Sequence, residues 1–303
     1  MNVECPLCDH QKSIDQYSIK SGGNQYFVKI CALCLHHYTW FDFEIKQDLL
    51  YTDDVYNVID NRNSIYSKIM NFEYGKVLKY LSRKQLKGLR LLDFGSGKGV
   101  FLNLAYQADF VVAGVETAEA RADFAQKKYG LHVYRSEYRN GKIGDGSYDV
   151  ITLFHVLEHL PKPKILLQNL IDHNLKTDGN LVIEIPNLSS WQSKIAGRQW
   201  MHLDIPRHLS HFTNKRMKQF CNELNLEITR EEYFSLHLGV LGMSESILSI
   251  FGYKGKIIKD LKQYNKKVMV ALAMVLPLAF IVELSASFFN RGGIMRIYCR
   301  RNK

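Results

Sequence analysis

Apolar runs that alternate with helical runs constrain the fold of this chain more than any other feature. The runs "LRLLDFG", "FVVAGVE", "HVYRS", "YDVITLF" and "GNLVIEIPN" occur in that order, and helix-like stretches such as "TAEARADFAQKKYG" separate them. Continuous apolar strands that alternate with helices are typical of a parallel sheet covered on both faces. The sequence therefore predicts an α/β domain, with a sixth strand at "LEITREEYF" and a last strand at "GIMRIYCR".

The length and the charge distribution of the chain limit its possible folds and partners. Its 303 residues suffice for one large α/β domain with additions, and 46% of them are hydrophobic. The net charge of +10 lies almost entirely after residue 253, where eleven Lys or Arg stand against Asp260 and Glu283. The remainder offers no basic stripe, which argues against a nucleic-acid partner. The start lacks an apolar run behind a basic flank, so no signal peptide is predicted.

Four of the six cysteines form two Cys-x-x-Cys pairs near the start of the chain. This spacing is typical of a tetrahedral zinc site that stabilises a segment too small to bury its own core. A redox dithiol is the alternative, less favoured because there are two pairs and neither follows a βαβ pattern. Unpaired thiols suit a reducing cytoplasm. The predicted zinc ligands are Cys5, Cys8, Cys31 and Cys34.

The stretch "LLDFGSGKGVFL" places Gly95, Gly97 and Gly99 between a strand and a helix. Glycines there let the backbone approach a ligand, and the helix start favours an anionic group. A dinucleotide-binding fold has a similar loop. Here, however, the third glycine comes one residue earlier than in G-x-G-x-x-G, and Asp93 stands two residues before the first.

Acidic residues follow the next two predicted strands. Glu116 ends the second strand, where a carboxylate can accept both hydroxyls of a ribose. Glu137 follows the third strand, where it could accept an adenine amino group beside Tyr138. A plain surface acid is the alternative for Glu137.

His155 ends the fourth strand, at the edge where open α/β sheets bind ligands, and Glu158 and His159 follow it. These side chains could contact a cofactor, orient a substrate or remove its proton. The alternative is that Glu158 and His159 only cap the next helix.

The stretch "HLDIPRHLSHF" at 202–212 holds three histidines and an arginine. It follows the fifth strand, so it can fold over the same sheet edge as His155. A basic and aromatic lid there would suit an acceptor that carries phosphate or carboxylate. The predicted substrate-binding residues are Arg198, Trp200, Arg207, His208 and His211. A purely structural loop is one alternative, and the other is a metal site built from His202, Asp204, His208 and His211.

The motifs "LLDFGSGKG", "GVE" and "YDVITLFHVLEHLPKP" resemble those of class I S-adenosylmethionine-dependent methyltransferases. "IEIPNL", "RQWMHLDIPRHLSHF" and the cysteine knuckles resemble a bacterial branch related to the ubiquinone-biosynthesis O-methyltransferases. The similarity covers residues 1–234 and the final strand. It implies a Rossmann-like sheet of seven strands, mostly parallel with an antiparallel last strand, and in-line methyl transfer from a sulfonium.

The resemblance also implies site residues and an acceptor. The acceptor is a small molecule with a sugar or quinone-like hydroxyl, or a reactive carbon, in glycan or lipid-linked biosynthesis. The residues it assigns to S-adenosylmethionine are Asp93, Gly95, Ser96, Gly97, Gly99, Glu116, Thr117, Glu137, Tyr138, Phe154 and His155. The residues it assigns to acid–base or orienting roles are His155, Glu158, His159 and His211.

Five segments are expected along the chain. They are a zinc module at 1–45, a helical lead-in at 46–88, a methyltransferase core at 89–234 with its lid at 188–213, a helical insertion at 235–291 and a final strand at 292–303.

The insertion combines a basic piece with an apolar piece long enough to cross a bilayer, interrupted by Pro277 and Glu283. A single crossing is excluded because both ends return to one sheet. Helices lying on an anionic membrane surface are one prediction, and a buried helical subdomain or dimer interface is the other. The first would place a cytoplasmic protein at the inner face of the membrane.

Two other functions remain open from the sequence. One is a dinucleotide-dependent oxidoreductase, which would bind NAD more tightly than S-adenosylmethionine. The other is a zinc-bearing assembly protein at the membrane that keeps an inactive cofactor pocket. Such a protein would bind the cofactor without turnover, and replacing His155, His159 or His211 would leave that binding unaffected.

Overall fold

A computed structural model describes residues 4–43, 65–82, 88–135 and 140–302. Its strands are β1 (Ser13–Ser21), β2 (Asn24–Cys31), β3 (His37–Trp40), β4 (Arg90–Phe94), β5 (Val111–Val115), β6 (Val133–Tyr134), β7 (Tyr148–Phe154), β8 (Leu175–Pro186), β9 (Ser210–His211), β10 (Leu226–Glu232) and β11 (Ile294–Arg301). Its α-helices are α1 (Ile65–Leu81), α2 (Val100–Gln107), α3 (Glu119–Tyr129), α4 (Pro163–His173), α5 (Trp191–Ala196), α6 (Asn214–Glu223), α7 (Gly239–Ile250), α8 (Ile257–Lys262) and α9 (Lys266–Phe288).

The central sheet has seven strands in the order β10-β11-β8-β7-β4-β5-β6. Strand β11 runs antiparallel to both of its neighbours, whereas β8, β7, β4, β5 and β6 pair in parallel. The predicted Rossmann-like sheet with an antiparallel last strand is therefore confirmed. The winding reverses at β4, which opens a ligand crevice at the carboxyl ends of β4 and β7.

The central strands are buried on both faces, as their continuous apolar runs predict. Successive side chains point to opposite faces of a strand. Leu92, Ile151 and Ile183 accordingly belong to one core cluster. Leu91, Val150 and Val182 belong to the other, which helices α1 and α2 cover.

A second, four-stranded sheet has the order β1-β2-β3-β9. Strands β1 to β3 come from the amino-terminal segment, but β9 comes from the predicted lid. His37 lies opposite His211, and Tyr38 lies opposite Ser210. The amino-terminal segment and the lid are therefore joined by main-chain hydrogen bonds.

Helices α7, α8 and α9 lie between β10 and β11, where the insertion is predicted. Helix α9 continues through Pro277, so this residue does not end it. Glu283 is fully buried and accepts hydrogen bonds from the Gln192 side-chain amide and the Gly293 N–H, both at 2.7 Å. Among the described residues, α9 is the one helix long and apolar enough to cross a membrane.

Candidate active site at the carboxyl edge of the sheet

The glycine loop turns directly from β4 into α2. Gly97 has a φ of 55°, and a Cβ at this position would meet no atom within 4 Å, so its backbone is open to a ligand. The Gly97 N–H donates to Glu116 Oε2 at 2.8 Å, and the Ala118 N–H donates to Oε1 at 2.8 Å. Glu116 is thus fixed beside the loop. The Ser96 hydroxyl is buried and has no partner among the described residues.

Asp93 lies beneath this loop at the end of β4. Its Oδ1 accepts a hydrogen bond from the Thr152 hydroxyl on β7 at 2.7 Å, across the point where the winding reverses. Burial raises the pKa of Asp93 to about 7, even though the Thr152 hydrogen bond opposes the shift. A buried carboxyl near half-ionisation suits a site that receives a positively charged group.

His155 lies between two buried carboxylates. Its Nδ1–H donates to Glu158 at 3.2 Å and its Nε2–H donates to Glu184 at 3.1 Å. Burial lowers the pKa of His155, but the two carboxylates outweigh it and raise the pKa to about 10. His155 also has a φ of 55°, which non-glycine residues rarely adopt and which often marks functional sites. His155 is therefore a fixed cation at neutral pH.

The ion-pair chain continues through the antiparallel strands. Arg296 lies directly opposite Glu184 in the β11–β8 pair and donates to its carboxylate at 2.6 Å through Nε. Its Nη1 donates to Glu232 on β10 at 2.9 Å. Burial raises the pKa of Glu184, but Arg296 and His155 reverse that shift and hold it well below the usual range.

His159 follows in the single helical turn after β7, where it contacts the lid. Its Nδ1–H donates to the Arg207 carbonyl at 3.1 Å, which leaves the basic lone pair on Nε2. Burial, and next the charge of His208, lower the pKa of His159 to about 4, so the ring is neutral at pH 7. Oε2 of Glu158 is buried without a hydrogen-bond partner among the described residues. Ligand atoms of Glu158, His159 and His208 lie within 4.8 Å of one another, close enough to hold a cation.

The lid histidines are tied to the amino-terminal sheet through Thr39. The Thr39 hydroxyl donates to the His208 carbonyl at 2.8 Å, so it accepts from the Nε2–H of His211 at 2.9 Å. Burial lowers the pKa of His211 to about 3, and it lowers that of His202 to about 3. Of the predicted metal set in this loop, His208 alone belongs to a described ligand cluster.

The other predicted lid residues have separate surroundings. Trp200 is buried, and its indole N–H donates to Gln192 at 3.3 Å. Arg207 is buried and donates to Asp204 at 2.6 Å. Arg198 is exposed, and its guanidinium lies 5.5 Å from the ring of Tyr17 in β1.

Two further predicted cofactor residues lie at the carboxyl ends of β5 and β7 and differ in burial. Thr117 is exposed after β5. Phe154 packs its ring on Phe101, with centroids 4.8 Å apart, and on Tyr74 of α1. Glu137 and Tyr138 lie outside the described residues.

The four predicted zinc ligands converge. Their sulfur atoms lie within 4.8 Å of one another, and three pairs are 3.4 to 3.6 Å apart. A tetrahedral zinc with four sulfurs at about 2.3 Å would separate the sulfurs by about 3.8 Å. The cysteines are free thiols, too far apart for a disulfide. The donor set therefore fits zinc.

Sequence reasoning missed Glu184, Arg296 and Thr39. Glu184 and Arg296 each interrupt an otherwise apolar strand, in "LVIEIP" and "IMRIYC". A charged residue in a strand buried on both faces requires a partner, so each was a detectable signal. Thr39 carried no such signal, because its role depends on the pairing of β3 with β9.

A large cavity of about 1060 Å³ lies elsewhere, lined by Asp149, Asn174 and Lys176 among others. These residues are at the amino ends of β7 and β8. Open parallel sheets bind ligands at their carboxyl ends, so we assign the active site to the glycine loop.

The parallel sheet, the open glycine loop and the acid after the second core strand define an α/β enzyme that binds a nucleotide-containing cofactor. Residues 66–231 match a family described as "Methyltransferase domain", which is more than half of the chain. The protein belongs to this family and is a class I S-adenosylmethionine-dependent methyltransferase with a Rossmann-like fold. The family match decides against the dinucleotide-dependent oxidoreductase.

Two relatives support this assignment, and one solved structure supports the fold. A ubiquinone biosynthesis O-methyltransferase from Actinobacillus pleuropneumoniae serotype 7 is 26% identical over 49% of this chain and 71% of its own length. A namesake from serotype 5b is 27% identical over 45% of this chain and 63% of its own length. The fold is similar to that of an S-adenosylmethionine-dependent methyltransferase from Archaeoglobus fulgidus, with a TM-score of 0.51 and 17% identity over 82% of this chain and 100% of that one.

Proposed function

We propose that the protein methylates a hydroxyl of a small sugar-like or quinone-like acceptor held beneath the lid. The observation that carries the proposal is His159, a neutral imidazole beside the buried carboxylate of Glu158. A hydroxyl becomes a good nucleophile only as its proton leaves, so its methylation needs a positioned base. The names of the two Actinobacillus relatives support oxygen as the acceptor atom. An acidic carbon needs the same base and is the second candidate.

The cofactor is proposed to bind at the glycine loop. Gly97 offers an open backbone, Ser96 an unused hydroxyl and Asp93 a carboxyl of raised pKa, while the fixed carboxylate of Glu116 suits a ribose. Gly95, Gly99, Thr117, Phe154 and His155 complete the proposed set, together with Glu137 and Tyr138. When bound, S-adenosylmethionine supplies an electrophilic methyl group on a sulfonium sulfur.

The two histidines at the end of β7 take different roles. His155 holds its proton at neutral pH and donates both N–H groups to carboxylates, so it cannot accept the proton of the acceptor. It positions Glu158 instead. His159 is neutral, and Glu158 favours the imidazolium it would become, although burial and His208 together outweigh this effect. We assign the base to His159 and a supporting role in the lid to His211.

The lid is proposed to hold the acceptor. The guanidinium groups of Arg198 and Arg207, with Trp200, His208 and His211, suit a phosphate or carboxylate on a soluble or lipid-linked molecule. The six cysteines form no disulfide, which agrees with a reducing cytoplasm as the proposed place of the reaction.

The cysteine cluster is proposed to bind one structural zinc. Its role would be to fix β3, to which the lid strand β9 pairs. Metal analysis of the purified protein should find one zinc per chain, and replacing Cys31 and Cys34 by Ser should remove it. Replacing the buried pair Cys221 and Cys299 by Ser is the matched control and should leave the zinc in place. Zinc retained after replacement of Cys31 and Cys34 would contradict the four-cysteine site.

The proposed reaction can be tested with methyl-labelled S-adenosylmethionine and an extract of host cells, split into lipid and aqueous fractions. Label in a small molecule of either fraction supports methyl transfer, and mass spectrometry identifies oxygen or carbon. Cofactor binding without transfer of label to any fraction would instead favour the inactive assembly protein.

A further inference from the structure

Helix α9 presents an exposed apolar stripe along its whole length. Val270, Met274, Leu278, Ile281 and Phe288 are spaced three, four or seven residues apart, so they share one face of the helix. Their exposed fractions are 60%, 72%, 54%, 61% and 77%. A helix of 23 residues is about 34 Å long. An exposed apolar surface that extends along such a helix indicates an interaction site.

The opposite face of α9 packs on the protein. Ala279, Glu283 and Ala286 are fully buried there, and α7 supplies much of the neighbouring surface through Val240, Met243 and Ile247. Glu283 accepts hydrogen bonds from Gln192 and Gly293. A helix that crosses a bilayer alone would be surrounded by lipid on every side. The second half of α9 is therefore packed on the folded protein through this face, whereas no residue between 266 and 278 is buried.

Exposed lysines surround the start of the stripe. The segment 254–267 carries six of them, against Asp260 as the single acid. Lys267 precedes Val270 by three residues, so it lies on the stripe face of α9. The lysines, all exposed, are Lys254, Lys256, Lys259, Lys262, Lys266 and Lys267.

Charge decides between the possible occupants of this surface. A second copy of the chain has the same net charge of +10, so the charges of two copies would repel each other. An anionic bilayer offers both of the required features, an apolar interior for the stripe and negatively charged headgroups for the lysines.

We propose that α9 and the lysine segment dock the enzyme on the surface of an anionic phospholipid bilayer, with the apolar stripe inserted and the lysines on the headgroups. Ile250, Phe251 and Tyr264, which are 64%, 80% and 79% exposed, extend the inserted surface beside the lysines.

The docking surface is connected to the active-site lid. Lys256 Nζ lies 3.6 Å from Asp204 of the lid, the same carboxylate that Arg207 contacts. A Cβ at Gly242 of α7 would be 2.9 Å from Nε2 of His202, so the insertion and the lid pack closely. The bilayer and the lid therefore contact the same small insertion.

Sedimentation of the full-length protein with vesicles tests the proposal. We expect the protein to pellet with vesicles of phosphatidylglycerol and phosphatidylcholine in equal parts, far less with phosphatidylcholine alone, and less as salt increases. Replacing Met274 and Ile281 by Glu should weaken binding by about a hundredfold or more, because two inserted apolar side chains are lost. The matched control replaces Tyr106 and Ile165, which are 60% and 57% exposed on α2 and α4, by Glu and should bind normally.

A second variant tests the lysines. Changing Lys259, Lys266 and Lys267 to Gln should lower affinity for the anionic vesicles about fivefold for each charge, whereas changing the exposed Lys12, Lys127 and Lys215 should have little effect. Every variant should bind S-adenosylmethionine as the unchanged protein does, which separates this test from the proposed reaction.

Three results would overturn the proposal. The first is failure to pellet with anionic vesicles. The second is a dimer in the absence of lipid that the Met274→Glu, Ile281→Glu variant abolishes, since a second copy would then occupy the stripe. The third is resistance to high salt and alkaline carbonate, which would indicate a helix that spans the bilayer.

Discussion

Two pairs of buried carboxylates, one at the sheet edge and one in the insertion, behave in opposite ways. At the sheet edge, Glu158 and Glu184 are ion-paired with His155 and Arg296. Burial raises the pKa of Glu158, but His155 more than reverses the shift and brings it to about 2. In the insertion, burial raises the pKa values of Glu245 and Glu283 to about 7 in each case.

The difference lies in the partners rather than in the depth of burial. Glu283 accepts hydrogen bonds from an amide and a backbone N–H, and Glu245 accepts one from the Ile257 N–H at 2.8 Å. Neutral donors offset only part of the cost of burying a charge, whereas a fixed cation can exceed it. The ion-paired Glu158 and Glu184 therefore keep their charges at every physiological pH. Glu245 and Glu283 titrate near neutrality, as does Asp93, whose hydrogen-bond donor is also neutral.

The largest expected effect concerns His159, which, unlike His155, does not lie between two carboxylates. Replacing His159 by Asn should lower kcat about a thousandfold, because the amide can still donate to the Arg207 carbonyl but has no basic nitrogen. Initial rates with the identified acceptor measure kcat, and titration with S-adenosylmethionine measures the affinity for the cofactor. Binding should be unchanged, and the exposed His173→Asn variant should keep its activity. A normal kcat in His159→Asn would remove this residue from the chemistry.

Breaking the ion-pair chain tests the sheet edge directly. Glu184→Gln should lower the free energy of unfolding by about 3 kcal/mol, because Arg296 and His155 lose their shared counter-charge. The pKa of His155 should fall from about 10, a change that histidine NMR titration can follow. Denaturant unfolding measures the change in the free energy of unfolding, with the exposed Glu227→Gln variant as the control. An unchanged His155 titration would show that Glu184 does not stabilise the protonated form of His155.

Glu116 tests whether the fixed acid beside the glycine loop binds the cofactor. Glu116→Ala should weaken S-adenosylmethionine binding about thirtyfold, about 2 kcal/mol, because the ribose loses an ionised acceptor. Calorimetric titration measures the affinity, with the exposed Glu119→Ala as the matched control. Equal affinities in the two variants would place the ribose elsewhere.

The smallest effect concerns the titrating carboxylate of the insertion. Glu283 has a raised pKa of about 7 in the fold and an ordinary one in the unfolded chain, so its contribution to stability is present at low pH and is lost as pH rises. Between pH 5 and pH 7 the unchanged protein should lose about 2 kcal/mol relative to Glu283→Gln. Denaturant unfolding at the two pH values checks this, with the exposed Glu119→Gln as a control. Parallel pH profiles would mean that Glu283 is already charge-paired.

The sequence by itself determined the central sheet and pointed to the edge where the candidate site lies. Strand periods, glycine positions and the acid after the second core strand are local signals, and a parallel α/β sheet brings the carboxyl ends of its strands together. This is why the sequence alone places Asp93, Glu116, His155 and Glu158 at one edge of the sheet. The cysteine spacing likewise anticipated the cluster that the structure assembles.

Only the tertiary structure decided which groups are charged and what holds the lid. Glu184 and Arg296 are 112 positions apart, and the register of β8 with β11 makes them partners, while Glu184 also accepts from His155. The pairing of β9 with β3 joins the lid to the cysteine module, and the packing of α9 decides which of its apolar faces remains exposed. Such contacts depend on which surfaces meet when the chain folds, and no local pattern specifies that.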